Sequence, residues 1–376
     1  LDFGFSQEQE MLRQSARALL ERECTSAQVR RMMEDERGYS PELWRKMAEL
    51  GWLGLVLPET YGGAGLGYVD LVVVAEEMGR VLLPSPFIWT LAFAEAIGRA
   101  GSDEQKQRFL PAIARGEMVA TVAHLEAGGT LEESGIVMGA RRAGKGFILE
   151  GEKLFVNDAH VADCFLVAAR TGSRRGGGVT LFAIDSRRAG ITINRLKTMD
   201  QTRKLGEVRF QAVRVAAADV VGEIGAGWPI LSAALDRAKV ALAAEMMGGA
   251  QRVLEMAVEY SKVREQFGRP IGSFQAIQHK CANMMVDVEG AKSVVYYAAW
   301  AVSNGVADAP LAAAVAKAAA SDAYRRTAAE GIQIHGGIGF TWEHDMHLYF
   351  KRAKSSEVTL GDANFNRELV AQGIGL

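Results

Sequence analysis

Residues 260–284 read Y-S-K-V-R-E-Q-F-G-R-P-I-G-S-F-Q-A-I-Q-H-K-C-A-N-M. The stretch opens as the end of a helix, because Val253, Leu254, Ala257 and Val258 share one face at helical spacing. Arg264-Glu265-Gln266-Phe267 lead into Gly268 and Pro270, which break that helix. Ser273 is placed to cap the next one, whose apolar face begins with Phe274, Ile277 and Cys281. A helix pair is therefore joined by a short loop carrying an arginine, an amide and an aromatic. Arg264 suits bidentate contact with a pyrophosphate, Phe267 suits an adenine or flavin edge, and Gln275 suits a polar ring edge. The same residues equally suit the trim of a plain helical hairpin.

A second stretch, residues 333–342, reads Q-I-H-G-G-I-G-F-T-W. The pattern predicts a helix from Ala312 to Gln333, ended at Gly336-Gly337, with Thr341 capping another. Paired glycines let backbone N–H groups approach an anion, and a helix start favours negative charge there. Paired glycines are also a common helix C-cap.

Together, R-E-Q-F-G-x-x-I-x-x-F-Q at 264–275 and Q-x-H-G-G-x-G-F-T at 333–341 resemble motifs of the acyl-CoA dehydrogenase family of flavoproteins. The resemblance covers essentially the whole chain. It implies that Arg264, Gln266, Phe267 and Gln275 hold FAD from one subunit, and that Gln333, Gly336 and Gly337 hold it from a neighbour. It also implies a dimer of dimers and electron-transferring flavoprotein as electron acceptor.

Length and composition set the frame. A chain of 376 residues accommodates two or three domains with large cores. Hydrophobic residues make up 49% and charged residues 23%, which is ordinary for a globular protein. A net charge of -2 predicts no general affinity for nucleic acid or anionic membrane. Three cysteines without paired spacing (Cys24, Cys164 and Cys281) argue against a disulfide framework and fit a reducing cytoplasm. The first residues are acidic and amphipathic, unlike a signal peptide, and no apolar run reaches membrane-spanning length.

The pattern along the chain predicts an α+β protein: an N-terminal helical domain (1–115), a middle β-barrel or sandwich (116–222) and a C-terminal helical bundle (223–376), the architecture the resemblance also implies. In the first interval Ser6 and Gln9 are spaced for a capping box, and Ser40-Pro41 opens a further helix. The glycine-rich run between Gly51 and Gly67 is not read as a nucleotide loop, since no βαβ unit follows. In the second interval short β-prone runs alternate with turns, and 146–149 and 153–156 read as separate strands. The third holds helical patterns at 228–261, 273–304, 309–334, 343–356 and 364–372, with Trp228 as core.

The resemblance implies oxidation of an acyl-CoA thioester to the 2,3-enoyl-CoA. A buried carboxylate takes the α-proton while the β-hydrogen leaves as hydride to the flavin. The family carries that carboxylate in Y-E-G-T, after R-x-A-K. Here Arg352-Ala353-Lys354 matches, but Leu360 stands at the base position. A minority carries it in D-x-E-R; here Asp236 matches, Ala238 replaces the glutamate and Lys239 the arginine. Asp362 is the remaining candidate base, if the loop shifts; it is equally spaced to cap the helix begun by Ala363-Asn364. Asp236 and Lys239 are candidate substrate contacts. A sister subunit supplying the base, in a heterotetramer instead of a homotetramer, is the third possibility.

In the middle interval the family's flavin loop is reduced to A-H-L-E-A-G-G-T at 123–130, and its W-I-T segment reads Phe155-Val156-Asn157. By position Phe155 is expected to stack on the flavin and Asn157 to hydrogen-bond it; an ordinary strand pair is the alternative. His344 and His347 have no third ligand nearby and read as surface histidines, so no metal site is expected. The Arg141–Arg142 and Arg174–Arg175 pairs read as solvated, with CoA phosphates as the other possible use. Three functions compete: a dehydrogenase with an unusual base, a non-catalytic subunit completing a partner's FAD site, and a flavin monooxygenase or oxidase on the same fold.

Overall fold

The computed structural model describes residues 4–172 and 178–376. The Arg174–Arg175 pair lies outside the described residues. Along the chain come helices, then strands, then helices: α1 (Gln7–Glu23), α2 (Ser26–Glu34), α3 (Pro41–Glu49), α4 (Tyr68–Arg80), α5 (Phe87–Ala100) and α6 (Asp103–Ala114), eight strands, then α7 (Gly227–Val263), α8 (Gln275–Ser303), α9 (Ala309–His335), α10 (Met346–Val358) and α11 (Ala363–Gly373). Contacts gather these elements into two compact units, one of residues 1–31, 67–83 and 239–376, the other of 32–66 and 84–238.

The first unit is helical. The Ser6 hydroxyl accepts from Gln9 N and the Gln9 side chain accepts from Ser6 N, so α1 starts with the expected capping box. α4 is buried along nearly its whole length. It reaches α7 through reciprocal glycines: a Cβ at Gly79 would overlap the Glu245 carbonyl, and one at Gly248 would overlap the Glu76 carbonyl. Glycine in a helix interior costs about 1 kcal/mol against alanine; here it allows backbone-to-backbone approach. α9 presents buried alanines to α8, α10 and α11. Arg17 and Arg80 pair bidentately with Glu77 and Glu255, and Arg352 meets Glu245 at 2.6 Å.

The second unit is built on one eight-stranded sheet: β1 (Ala120–Ala123), β2 (Gly139–Ala143), β3 (Gly146–Asn157), β4 (Cys164–Thr171), β5 (Val179–Asp185), β6 (Ile191–Leu196), β7 (Leu205–Val215) and β8 (Val220–Val221). The order is β6-β7-β3-β2-β4-β5-β8, an open run, with β1 joining β2 along β4. Phe147, Leu149, Phe165, Val167, Phe182, Val208 and Phe210 fill its core. The two runs 146–149 and 153–156 are one strand. Gly151 (φ 142) accommodates a register shift between Leu149 and Gly151, so the glycine marks a bulge and not a turn. Thr90 on α5 both donates to and accepts from the backbone of Ala120, tying that helix to β1. Trp228 is only half-buried. Arg141 and Arg142 are exposed on β2, as their solvated reading expected. Between Gly51 and Gly67 the chain forms two short 3₁₀ turns.

Candidate functional site

The 264–275 stretch forms a miniature hairpin. Two short strands, β9 (Glu265–Gln266) and β10 (Arg269–Pro270), pair antiparallel, with Gln266 opposite Arg269. The two-residue turn is Phe267 (φ 55) and Gly268 (φ 75). Left-handed backbone at both centres is the type I′ hairpin turn, a place normally held by Asn-Gly. Phe267 thus accepts a disfavoured conformation, and its ring stands 92% exposed. Its nearest ring is Phe274, edge-on at 6.1 Å, over which the Arg269 guanidinium lies at 4.2 Å. Arg264, Gln266 and Gln275 are also exposed, and Arg264 makes no ion pair among the described residues. Ser273 does not cap α8. Its hydroxyl donates to Pro270 O at 2.7 Å, closing a 3₁₀ turn, and the helix starts uncapped after Phe274.

α9 runs to His335 and stops at Gly336, whose φ 63 and ψ −139 belong to glycine alone. Gly336, Gly337 and Gln333 are exposed, and a Cβ at either glycine would meet nothing. The glycines are set by backbone conformation, and open space lies beside them. Thr341 caps no helix. It donates to Ile338 O at 3.0 Å, ending a 3₁₀ stretch, and α10 begins only at Met346. His335 is buried, its Nδ1 2.7 Å from Gly331 O, and it stacks on Tyr260 at 4.4 Å with His344 at 4.7 Å. Burial holds the His335 pKa below the usual histidine range. His344 and His347 are not surface histidines. His344 is half-buried, and His347 is buried edge-on to Trp342; its burial pulls its pKa down.

At the corner between α10 and α11, Leu360 is buried with φ 59, followed by Gly361 with φ 88. Asp362 is exposed, and its carboxylate accepts from Phe365 N at 2.8 Å as the N-cap of α11. Asp362 is thus exposed and engaged as a cap, not buried as the expected base would be, which corrects that expectation. On α7, Asp236 is half-buried, while Ala238 and Lys239 are buried.

In the sheet unit, Phe155 sits at a second irregularity of β3, between Lys153 and Val156, with φ 53 and 51% exposure. The bulge turns its ring out of the sheet core. Asn157 is buried, its Nδ2 3.4 Å from Phe155 O. An ordinary strand pair would have neither the bulge nor the left-handed Phe155. Just beside it lies a group that sequence reasoning missed. Lys153 Nζ donates to Glu126 Oε1 at 2.6 Å and to His124 O at 3.2 Å, while Glu126 also accepts from Val137 N and Met138 N. Burial pushes Lys153 down to about 8, against the opposing pull of Glu126. His124 is buried with neither ring nitrogen in a well-formed hydrogen bond; burial, then the Lys153 charge, hold it at about 3. The run Glu150-Gly151-Glu152-Lys153 reads as a solvated charged segment, so nothing in it marks Lys153 as buried.

Family profiles match three consecutive parts of the chain: acyl-CoA dehydrogenase N-terminal domain (6–117), middle domain (126–213) and C-terminal domain (225–375). The chain belongs to the acyl-CoA dehydrogenase family. As a member it is an FAD flavoprotein and an oxidoreductase. Taken unit by unit, the residues present suit such a cofactor: in the sheet unit Phe155 offers an open aromatic face, and in the helical unit Arg264 and Phe267 stand exposed on the hairpin and Gly336-Gly337 leave open space beside the backbone. Acyl-CoA dehydrogenase IpdE2 of Mycobacterium tuberculosis is 36% identical over 93% of this chain and 92% of the relative. Among solved structures, the steroid acyl-CoA dehydrogenase Tcur3481-Tcur3483 (G363A variant) is similar at 33% identity and TM-score 0.88, covering 98% and 97% of the two chains. The ChsE4-ChsE5 complex of M. tuberculosis follows at 30% identity and TM-score 0.90, covering 100% and 99%. Among the described residues of this family member, no helix is long and apolar enough to cross a membrane.

Proposed function

We propose that this chain works as the FAD-holding subunit of a heteromeric acyl-CoA dehydrogenase whose catalytic carboxylate comes from a sister subunit. The observation that carries the reading is the α10–α11 corner. Leu360 is buried where the family's base would be, and Asp362 is spent on capping α11. Ala238, at the alternative base position, is buried and apolar. Two similar structures are of paired chains, ChsE4-ChsE5 and Tcur3481-Tcur3483, which supports a partner of the same fold.

FAD, when bound, supplies the hydride acceptor. In this reading Arg264 grips its pyrophosphate through the two-pronged guanidinium, Phe267 covers a ring edge with Gln266 beside it, and Gln275 reads a polar edge. Gln333, Gly336 and Gly337 serve the cofactor of a neighbouring subunit. Phe155 packs against the flavin and Asn157 hydrogen-bonds its ring. Asp236 and Lys239 contact the CoA thioester. The assembly is a heterotetramer in the cytoplasm, where its three free cysteines stay reduced, and it passes electrons to an electron-transferring flavoprotein.

The test is the visible spectrum of the chain purified alone and with a co-expressed sister chain, under anaerobic titration with CoA thioesters. The expected result is bleaching of flavin bands only when both chains are present. Bleaching by the chain alone would overturn the two-chain reading in favour of a self-sufficient enzyme.

A further inference from the structure

Lys317 on α9 has no exposed surface. Its Nζ donates to Ser321 Oγ at 2.9 Å, Glu357 O at 3.0 Å and Gly361 O at 2.8 Å. An ammonium has three donors, and all three are used. Asn366 completes the arrangement from the other side, its Nδ2 lying 3.3 Å from Leu360 O, 3.0 Å from Gly361 O and 2.9 Å from Asp362 O. Two buried side chains therefore capture the carbonyls of the last turn of α10 and of residues 360–362. Leu360 at φ 59 and Gly361 at φ 88 are consecutive left-handed residues. A leucine is disfavoured there and persists only where its surroundings over-determine it.

An apolar side chain would fill the Lys317 site without the cost of burying an ammonium. What only a multiple donor provides is the tie from α9 to both sides of the corner. Burial and the nearby Lys239 charge push Lys317 down to about 7, against Glu357 and Asp362. As an amine it keeps two N–H donors for the Glu357 and Gly361 carbonyls, and its lone pair is free to accept from the Ser321 hydroxyl.

We infer that Lys317 is the positioning residue of the α10–α11 corner: it fixes residue 360 in a preformed base position, which in this chain an apolar side chain occupies. This rests on the reading of position 360 given above. A base must be held within a fraction of an ångström of its working place by supports that are themselves locked. Here the support is intact although the carboxylate is missing, and a corner so held does not swing Asp362 inward.

Two measurements on the full-length, FAD-loaded chain, with its partner where one co-purifies, test this. The first is hydrogen–deuterium exchange of the wild type and Lys317→Met. Exchange in residues 358–366 should rise about tenfold or more, with the body of α9 unchanged. Unchanged exchange in the corner, or a rise spread evenly over α9 and α10, would overturn the inference in favour of general packing. The second is anaerobic bleaching by butyryl-CoA and octanoyl-CoA in Leu360→Glu, alone and with Lys317→Met. Leu360→Glu should bleach, and the double variant should bleach about tenfold or more slowly with thioester Kd unchanged. A Leu360→Glu chain that holds FAD and thioester yet never bleaches, or a double variant as fast as the single, sinks the idea. If Lys317→Met fails to fold, Ser321→Ala removes one acceptor and should give a smaller rise in the same segment. Loss of FAD in every variant would count against the proposed function, while the exchange comparison would still decide the role of Lys317.

Discussion

Lys153 Nζ lies 2.6 Å from Glu126 Oε1 inside the sheet unit, the lysine with no exposed surface and the glutamate nearly buried. Removing one partner of such a pair leaves the other charge uncompensated, which typically costs about 3–5 kcal/mol. Lys153→Met is expected to destabilise at the upper end of that range, because the buried Glu126 carboxyl would lose its only charged partner among the described residues. Glu126→Gln should cost less, since the amide oxygen still accepts from the Val137 and Met138 N–H groups. The double variant should fall well short of the sum. Urea unfolding midpoints at constant m-value read all three, and strict additivity would show that the pair is not coupled.

His124 gives the unit an acid limb. Its folded pKa of about 3 lies below the ordinary histidine value of 6.5. Between those values the unfolded chain binds the proton and the folded chain does not, so stability rises with pH across that window and is lost as pH falls through it. His124→Leu removes the group, and its stability should change less between pH 6 and pH 4 than that of the wild type. Lys153 acts in the same sense higher up, from about 8 toward 10.5, where the unfolded chain again holds more protons. Parallel midpoint-against-pH curves for wild type and His124→Leu would show that His124 does not titrate as argued.

The hairpin tip separates stability from function. Phe267→Gly relieves a left-handed phenylalanine, worth roughly 1 kcal/mol, and loses little packing because the ring is exposed. The isolated chain should be as stable as the wild type or slightly more so. FAD retention, followed by absorbance after dialysis, should fall by about tenfold or more if the ring covers the cofactor. Equal retention would assign Phe267 to some other contact.

How far the sequence is legible follows from the range of the interactions. The capping box of Ser6 and Gln9, the break at Gly268 and the stop at Gly336 are local, and each stands where its residue type places it. Ser273 and Thr341 were misread because each hydroxyl turns back to a carbonyl three residues earlier and closes a 3₁₀ turn; spacing alone does not separate the two uses. α2 passed unnoticed although Val29 and Met32 are buried at helical spacing, since Thr25 is a weak cap signal beside the Ser6 box. Glu126 with Lys153, and Lys317 with Gly361, are 27 and 44 residues apart, and no periodicity announces such contacts. Phe155 was legible by position, but its outward turn depends on a bulge that the strand pattern does not reveal.

Helical glycines offer the last prediction, because their sign is decided by the neighbour and not by propensity. Alanine is favoured over glycine in a helix by about 1 kcal/mol. At Gly98 on α5 a Cβ would meet nothing, so Gly98→Ala should stabilise by up to that amount, discounted for its place near the helix end. At Gly79 and Gly248 the same methyl group would overlap a backbone carbonyl of the facing helix, which has no rotamer by which to move aside. Each substitution must push α4 and α7 apart and open their shared core, at a cost of several kcal/mol. The two changes act on one contact, so the second should cost less than the first. Unfolding midpoints of the three single variants and the Gly79→Ala/Gly248→Ala double variant provide the check; a Gly79→Ala protein as stable as the wild type would mean that the two helices are not held in backbone contact.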